Sequence, residues 1–196
     1  MRVLFFGASI TQGFWDTEGG GWVSRLQNNQ FTPTFFNLAI SGDTSAKLLK
    51  RFGSETKARL WPGEELVFVL AAGSNDAVVE AGKAWSSPQE YKQNITKIVG
   101  LAKQYSSKIL FVELAPCDES RTNPVAWGDF SYTNEDVRQL NAVLREICAK
   151  EKLPLVSVFD AFVGREKELL KDGLHPNAKG HQLIAELVKP ELENLL

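Results

Sequence analysis

Two histidines occur in the chain, and one of them follows a carboxylate at a spacing that suits acid–base chemistry. His175 stands in the segment DGLHP, residues 172–176, whereas His181 falls among the apolar residues of a predicted helix. Pro176 disfavours helical geometry at the residue before it, so His175 is expected to be extended, with its ring projecting from a loop. A short turn can bring the Asp172 carboxylate against the imidazole and fix the tautomer whose other nitrogen accepts a proton. This pair is therefore a candidate general base with its orienting acid.

A serine near the amino terminus could supply the nucleophile for that base. Ser9 follows the apolar run of residues 3–6, and a lone serine at such a point is usually a cap of a turn or helix. The segment does not match the G-x-S-x-G elbow of the common α/β-hydrolases, because Thr11 stands where the second glycine would be. It matches neither the dinucleotide-binding nor the P-loop glycine pattern. In a chain that also offers a histidine–aspartate pair, Ser9 is predicted to be a nucleophile.

Two further segments offer donors for the oxyanion that acyl transfer creates. Gly42 and Asn75 each come shortly after an apolar run, and each type alone is equally typical of a turn after a strand. Glycine lets its backbone N–H approach a ligand closely, and asparagine carries a neutral NH₂ donor. Together with the N–H of Ser9, these groups would form an oxyanion hole with three donors.

The elements that must position these residues alternate along the chain. Five short apolar runs are predicted as buried strands, at residues 3–6, 35–39, 66–72, 109–114 and 155–158. Helical spacing of apolar residues lies between them, at 48–60, 95–102 and 137–147, and a last helix is predicted from Pro176. This alternation predicts a five-stranded parallel sheet covered on both faces, an α/β fold with a three-layer α/β/α sandwich. The candidate residues would then gather at the carboxyl ends of the strands, where such sheets bind ligands.

The bulk composition narrows the class of protein. The 196 residues are enough for a single domain, taken as residues 1–196, and 43% hydrophobic with 23% charged residues is ordinary for a globular protein. The net charge is −2, with Lys and Arg dispersed among Asp and Glu, so nucleic-acid binding is not expected. A small-molecule partner is expected instead, and the pattern suits a monomer and a homodimer equally.

Neither the cysteines nor the apolar runs indicate metal binding or membrane insertion. Cys117 and Cys148 are too few for a disulfide framework and lack close metal-ligand spacing, so both are predicted to be buried thiols. No apolar stretch approaches the ~20 residues that span a bilayer. No signal region precedes the first apolar run, and a cytoplasmic location is therefore expected.

Four segments together resemble the motif blocks of the SGNH hydrolases, which are also called GDSL-type lipases and acylhydrolases. The segments follow the family's order and are residues 7–11 (GASIT), 37–42 (NLAISG), 73–76 (GSND) and 172–176 (DGLHP). The resemblance implies a flavodoxin-like strand order of 2-1-3-4-5 and no metal or cofactor. The site it implies is a catalytic triad of Ser9, Asp172 and His175 with an oxyanion hole made by Ser9, Gly42 and Asn75.

One position departs from the family pattern. Ala8 stands where these hydrolases carry the aspartate of their G-D-S sequence, so the carboxylate usually found beside the nucleophile is absent. The alanine side chain accepts no hydrogen bond, which leaves open how the loop around Ser9 is held and which substrates are preferred.

The expected function is hydrolysis of a carboxylic ester through an acyl-serine intermediate. The rate is expected to rise with pH around the ordinary imidazole pKa of about 6.5, because the base must be neutral. Few long apolar loops could hold a lipid chain, so a short acyl group is favoured, with an acetylated carbohydrate as a candidate substrate. Trp15, Trp22 and Trp127 are candidate substrate-binding residues. A catalytically inactive carbohydrate- or ester-binding module of the same fold is the alternative.

Overall fold

Eight strands occur in the computed structural model, which describes residues 1–27 and 33–196. They are β1 (Arg2–Gly7), β2 (Thr34–Asn37), β3 (Leu66–Ala71), β4 (Val79–Glu80), β5 (Lys83–Ala84), β6 (Ile109–Val112), β7 (Phe130–Ser131) and β8 (Leu155–Val156). Five of them form a parallel sheet in the order β2-β1-β3-β6-β8. Counted within this sheet alone the order is 2-1-3-4-5, so the predicted fold is confirmed.

Every strand of the parallel sheet arises from one of the predicted apolar runs, although four of the runs extend past the ends of their strands. The second strand ends at Asn37 because the side-chain oxygen of this residue accepts the N–H of Ala39 and bends the chain. The last strand ends at Val156, and Val158 already stands directly before a helix. The apolar residues beyond these two strands therefore fill the core from loops.

Nine helices cover the sheet in the part of the chain described above. They are α1 (Ser9–Gln12), α2 (Trp22–Leu26), α3 (Ser45–Lys57), α4 (Pro88–Ala102), α5 (Glu119–Thr122), α6 (Asn134–Glu151), α7 (Phe159–Phe162), α8 (Glu166–Leu169) and α9 (Ala178–Glu193). The last helix begins two residues later than predicted from Pro176, because the Asn177 side chain caps it by accepting the N–H of Gly180. Within residues 1–27 and 33–196, no helix is both long and apolar enough to cross a bilayer.

The strands divide their side chains between two cores, one on each face of the sheet. Leu4 faces a cluster formed with α3, α4 and α6, and Val3 faces a second cluster formed with α2 and α9. Because both faces are covered, the strands are apolar on both sides, as their sequences predicted. Cys117 and Cys148 are free and buried, which confirms their predicted state.

A small antiparallel sheet lies outside the predicted elements. Its strands, in the order β5-β4-β7, have two residues each, which is too short for the alternating pattern that predicts a strand. The pairing of β4 with β7 joins the segment after β3 to the loop between β6 and α6. Tyr132 follows β7 directly and is buried, so this sheet places a phenol beside the turn at residues 74–77.

Candidate active site

Three predicted site residues lie in one hydrogen-bonded series at the carboxyl edge of the parallel sheet. Ser9 begins α1 directly after β1, and its Oγ lies 2.9 Å from Nε2 of His175, a residue 166 positions away. The other ring nitrogen, Nδ1, lies 2.8 Å from Oδ2 of Asp172. Ser9 and His175 are each only 8% exposed, so the series is almost shielded from bulk water. The structure thus brings together the serine, the imidazole and the carboxylate.

The Asp172 carboxylate accepts hydrogen bonds on both of its oxygens. Oδ1 accepts the backbone N–H groups of Leu174 and His175, at 3.0 and 2.8 Å, and Oδ2 also accepts the indole N–H of Trp15 at 2.8 Å. Burial raises the pKa of Asp172, but the hydrogen bonds, that of the His175 ring first, outweigh burial and hold this pKa below its usual range. An ionised carboxylate only accepts, so Nδ1 carries the proton and Nε2 is free to accept one from Ser9.

The DGLHP segment folds into a compact loop that presents this pair. The Asp172 side chain bonds to the backbone two and three residues further on, which is the local turn that aspartate favours. Gly173 has a φ of +96°, and a Cβ at this position would lie 2.7 Å from Cβ of Arg121. The Lys171 N–H donates to the carbonyl of His175 at 2.8 Å and closes the loop. The aspartate and the glycine therefore both serve to place the imidazole.

Hydrogen bonds between α1 and residues 37–41 hold the first turn of α1, at which Ala8 provides no side-chain cap. The Asn37 amide donates to the carbonyl of Thr11 at 2.8 Å. The Gln12 side-chain oxygen accepts the N–H of Ser41 at 3.0 Å. The turn is therefore anchored to the end of β2 and the segment after it, although Ala8 replaces the aspartate of the G-D-S pattern.

A hydrogen bond joins Asn75, one of the predicted oxyanion donors, to the residue directly after Gly42, another of them. Nδ2 of Asn75 donates to the carbonyl of Asp43, next to Gly42, at 2.9 Å, and its Oδ1 accepts the Tyr132 hydroxyl at 3.2 Å. Because a carbonyl only accepts, this pairing fixes which end of the amide is the NH₂ group. Among the described residues, the second amide hydrogen has no acceptor. Gly42 has a φ of +79°, a backbone conformation that glycine adopts without strain.

Two residues that support this region had no role in the sequence-based prediction. The buried Asp76 carboxylate accepts the backbone N–H and the hydroxyl of Ser45, and burial raises its pKa. Tyr132 holds Asn75, and burial raises the pKa of this phenol as well, so it stays a donor. Asp76 belongs to the GSND segment and could have been noticed there, whereas no local signal marks Tyr132.

Of the three candidate substrate-binding tryptophans, the structure places two beside the site. Trp15 and Trp127 are each 46% exposed; the Trp127 ring lies 6.0 Å from the His175 ring, and Trp15 contacts Asp172. The prediction for Trp22 is wrong. Its side chain is 1% exposed and packs edge-on against Phe5 in the core, where a substrate does not reach it.

His181 is a buried structural histidine. Its Nδ1 accepts the N–H of Trp22 at 3.3 Å, so Nε2 carries the proton and donates to the carbonyl of Phe14 at 3.0 Å. Burial lowers the pKa of His181, which favours this neutral ring. The ring joins α9 to both ends of the segment between α1 and α2.

The lowered pKa of His181 predicts how the free energy of unfolding changes with pH. The contribution of the neutral ring to the free energy of unfolding is complete above the ordinary imidazole pKa of 6.5. It is lost as the pH falls from there through the lowered pKa that His181 has in the folded protein, by up to ~1.4 kcal/mol per pH unit. His181→Gln, which donates and accepts without titrating, should therefore reduce the fall in Tm between pH 7.5 and pH 5. Thermal melts across this range test it, and a variant whose Tm profile runs parallel to the wild type would contradict it.

Comparison with known proteins gives the family of the chain. A family model described as the GDSL-like lipase/acylhydrolase family matches residues 5–183. The chain belongs to this family. The matched range contains all four resembling segments, and the GDSL-like family is one of ester hydrolases, so the protein is placed among the esterases.

Individual relatives and related solved structures share only a low sequence identity with the chain. The chain is 28% identical over 121 residues to the isoamyl acetate-hydrolyzing esterase of Saccharomyces cerevisiae, which is 57% of this chain and 50% of the yeast protein. It is 22% identical over 197 residues to thioesterase 1/protease 1/lysophospholipase L1 of Escherichia coli, covering 99% of this chain and 84% of that protein. A solved acetyl xylan esterase variant from Geobacillus stearothermophilus has a TM-score of 0.75 at 19% identity, covering 97% and 94% of the two chains. The last comparison shows a shared fold.

Proposed function

We propose that this GDSL-family protein is a serine esterase with Ser9 as its nucleophile. The observation that carries the proposal is the series from the Ser9 hydroxyl through the His175 ring to the Asp172 carboxylate, with contacts of 2.9 and 2.8 Å. A nucleophile, a base in the correct tautomer and an orienting acid are what acyl transfer requires. A binding module of the same fold, the alternative function, would have no use for such a series.

In the proposed reaction, His175 takes the Ser9 proton as the hydroxyl attacks the ester carbonyl. The oxyanion is stabilised by the backbone N–H groups of Ser9 and Gly42 and by the free amide hydrogen of Asn75. His175 then protonates the departing alcohol, and water attacks the acyl-serine by the reverse route. Residues 1–196 act as one catalytic domain, and no step in this sequence calls for a cofactor.

We further propose that the acyl group is short. Two of the proteins compared above are named for acetate esters, the yeast esterase and the acetyl xylan esterase. An acetyl group is therefore the proposed acyl substrate.

The exposed aromatic faces support a carbohydrate as the alcohol part of the ester. Trp15 and Trp127 lie on the rim of the site, and each leaves nearly half of its surface to solvent. An indole offers a large, rigid apolar face, on which the C–H face of a sugar ring can pack while its hydroxyls remain hydrated. An acetylated sugar would place its ester beside Ser9 and its ring against one of these indoles.

A panel of esters tests this proposal. We expect kcat/KM for p-nitrophenyl esters to be highest with acetate and to fall by at least about tenfold by octanoate, because each misplaced methylene costs of the order of 1–3 kcal/mol in a tight pocket. Acetylated xylose and glucose should also be hydrolysed, with acetate release as the readout. Equal rates from acetate to dodecanoate would contradict the short acyl pocket. Binding of acetylated sugars without any hydrolysis would favour the binding module.

A further inference from the structure

Trp15 has a backbone conformation that large side chains rarely adopt. Its φ is +65°, in the left-handed region, where the Cβ of any residue other than glycine is crowded. Such conformations persist only when the surrounding contacts hold them, and they occur preferentially at functional sites. A strained residue beside the Ser9–His175–Asp172 series therefore calls for a physical explanation.

The residues on both sides of Trp15 are held by hydrogen bonds. Phe14 donates its N–H to the carbonyl of Ser9 at 3.0 Å, and its own carbonyl accepts Nε2–H of His181 at 3.0 Å. The Asp16 carboxylate accepts three backbone N–H groups of the following turn and forms an ion pair with Arg25 at 2.8 Å. With its neighbours held in this way, Trp15 has little freedom to relax its backbone.

The segment that contains Trp15 closes on itself, and we refer to residues 13–21 as the strap. A Cβ at Gly21 would lie 2.3 Å from Cα of Gly13, and both glycines have positive φ values of +93° and +96°. Two backbone strands can approach this closely only where neither residue carries a side chain. The glycine run at residues 19–21 thus has a structural role in closing the strap.

The strap directs the indole N–H of Trp15 at the carboxylate of the candidate triad. The donor reaches Oδ2 of Asp172 at 2.8 Å, and this is the oxygen that also accepts Nδ1–H of His175 at 2.8 Å. One oxygen therefore receives two donors in competition, and a hydrogen bond from the indole withdraws negative charge from the bond to the imidazole. This contact joins residues 157 positions apart in the chain.

We propose that Trp15 is a positioning residue whose indole N–H holds Asp172 against His175 and limits the stabilisation that the carboxylate gives to the protonated imidazole. This inference rests on the proposed serine esterase function. With the indole donor present, the carboxylate keeps one orientation and His175 loses its proton at lower pH than it would without that donor.

Other titratable or charged groups lie around this pair, and all of them are the same in the wild type and in the variants compared below. Burial raises the pKa of Tyr132, which remains a neutral phenol. Burial lowers the pKa of His181, and because this ring is common to the wild type and the variants, its titration does not distinguish them. Arg121 and Lys171 adjoin the loop through a hydrogen bond between the Arg121 guanidinium and the Lys171 carbonyl, and both are cations. A change in the pH profile on substitution of Trp15 would therefore report the Asp172–His175 pair.

The test compares Trp15→Phe with Trp127→Phe over a range of pH. Phenylalanine keeps a ring in the strap but lacks the N–H, so the midpoint of the kcat/KM profile should move up by about 0.5 to 1 pH unit and the plateau should fall by about 3- to 10-fold. Trp127 is equally exposed and lies near the same imidazole, and its substitution should leave the midpoint in place even if KM changes. An unchanged midpoint in Trp15→Phe would overturn the inference.

Two further measurements separate this inference from the proposed function. If the wild type is not labelled by a fluorophosphonate, the serine esterase function fails, and the inference fails with it. If the wild type is labelled but the Trp15→Phe midpoint does not move, the inference alone fails. The indole ¹H–¹⁵N resonance of Trp15 should shift upfield in Asp172→Asn, because a charged acceptor is lost, and an unaltered resonance would overturn the inference even if Trp15→Phe does not fold.

Discussion

Replacing Ser9 with alanine is expected to lower kcat for p-nitrophenyl acetate by about 10⁴-fold or more. The substitution removes the atom that forms the acyl intermediate, and neither the Asn75 amide nor the His175 ring can replace it. Within residues 1–27 and 33–196 the hydroxyl forms its hydrogen bond with His175, so the fold has little dependence on it. We therefore expect the Tm of Ser9→Ala to lie within a few degrees of that of the wild type.

Covalent labelling provides the matched measurement for this variant. A fluorophosphonate probe should form one adduct on the wild type, on the peptide that contains Ser9, and none on Ser9→Ala. Ser120→Ala is a suitable control, because Ser120 is an exposed serine bonded to Asp118 and should keep full activity and labelling. Full esterase activity in Ser9→Ala would remove the assignment of the nucleophile and, with it, the proposed mechanism.

The part of the site that could be predicted from sequence is the part with local signals. His175 was selected because Pro176 excludes a helix there and because Asp172 stands three residues away, and the structure shows the turn that this spacing predicts. Ser9, Gly42 and Asn75 follow strands whose apolar runs are evident in the sequence. A parallel sheet brings the carboxyl ends of its strands to one edge, so their approach follows from the fold.

The role of each tryptophan depends on contacts that no local pattern contains. Trp15 and Trp22 are seven positions apart in a segment rich in glycine, yet one is half exposed and the other lies in the core. The difference arises from the left-handed backbone at Trp15 and from the close approach of Gly13 and Gly21. Both are consequences of the folded strap, which is why composition could not distinguish the two indoles.

The small antiparallel sheet could not be predicted from the sequence either, because it also depends on contacts that no local pattern contains. Of its strands of two residues, β4 pairs with β5 close by in the chain and with β7 about 50 residues away, as Val79 does with Ser131. None of them carries a periodicity of its own. Tyr132 reaches Asn75 across 57 positions because of this pairing. The strand order of the large sheet likewise came from the family resemblance, since apolar runs indicate strands but not their neighbours.

The first three motif segments are held together by hydrogen bonds, some of them to the residues directly after the second segment, as well as by the sheet. Asn37 bonds to the turn after β1, Asn75 bonds to the carbonyl of Asp43, and Asp76 accepts two hydrogen bonds from Ser45. In each case a side chain of one segment satisfies the backbone of another, which fixes their relative positions. The Asn37 bond thereby anchors the loop of Ser9, at which Ala8 offers no side-chain hydrogen bond.

Asn75→Ala is expected to lower kcat by about 10²- to 10³-fold while changing KM by less than about threefold. The amide hydrogen not used by Asp43 would bind the oxyanion, which exists in the transition state and not in the bound ester, so its loss affects kcat. Tyr132→Phe is the matched variant, because it keeps the amide and removes only the hydroxyl that holds Oδ1 at 3.2 Å. We expect Tyr132→Phe to lower kcat by about tenfold or less, since Asp43 still orients the NH₂ group.

Steady-state kinetics on p-nitrophenyl acetate, with circular dichroism to verify folding, measures both effects. A rise in KM with unchanged kcat in Asn75→Ala would show that the amide binds the ground-state ester and would contradict the oxyanion assignment. A Tyr132→Phe variant as impaired as Asn75→Ala would mean that the phenol, rather than Asp43, determines the direction of the amide. The expected ranking, with Asn75→Ala far below Tyr132→Phe and both below the wild type, follows from which hydrogen bond each substitution removes.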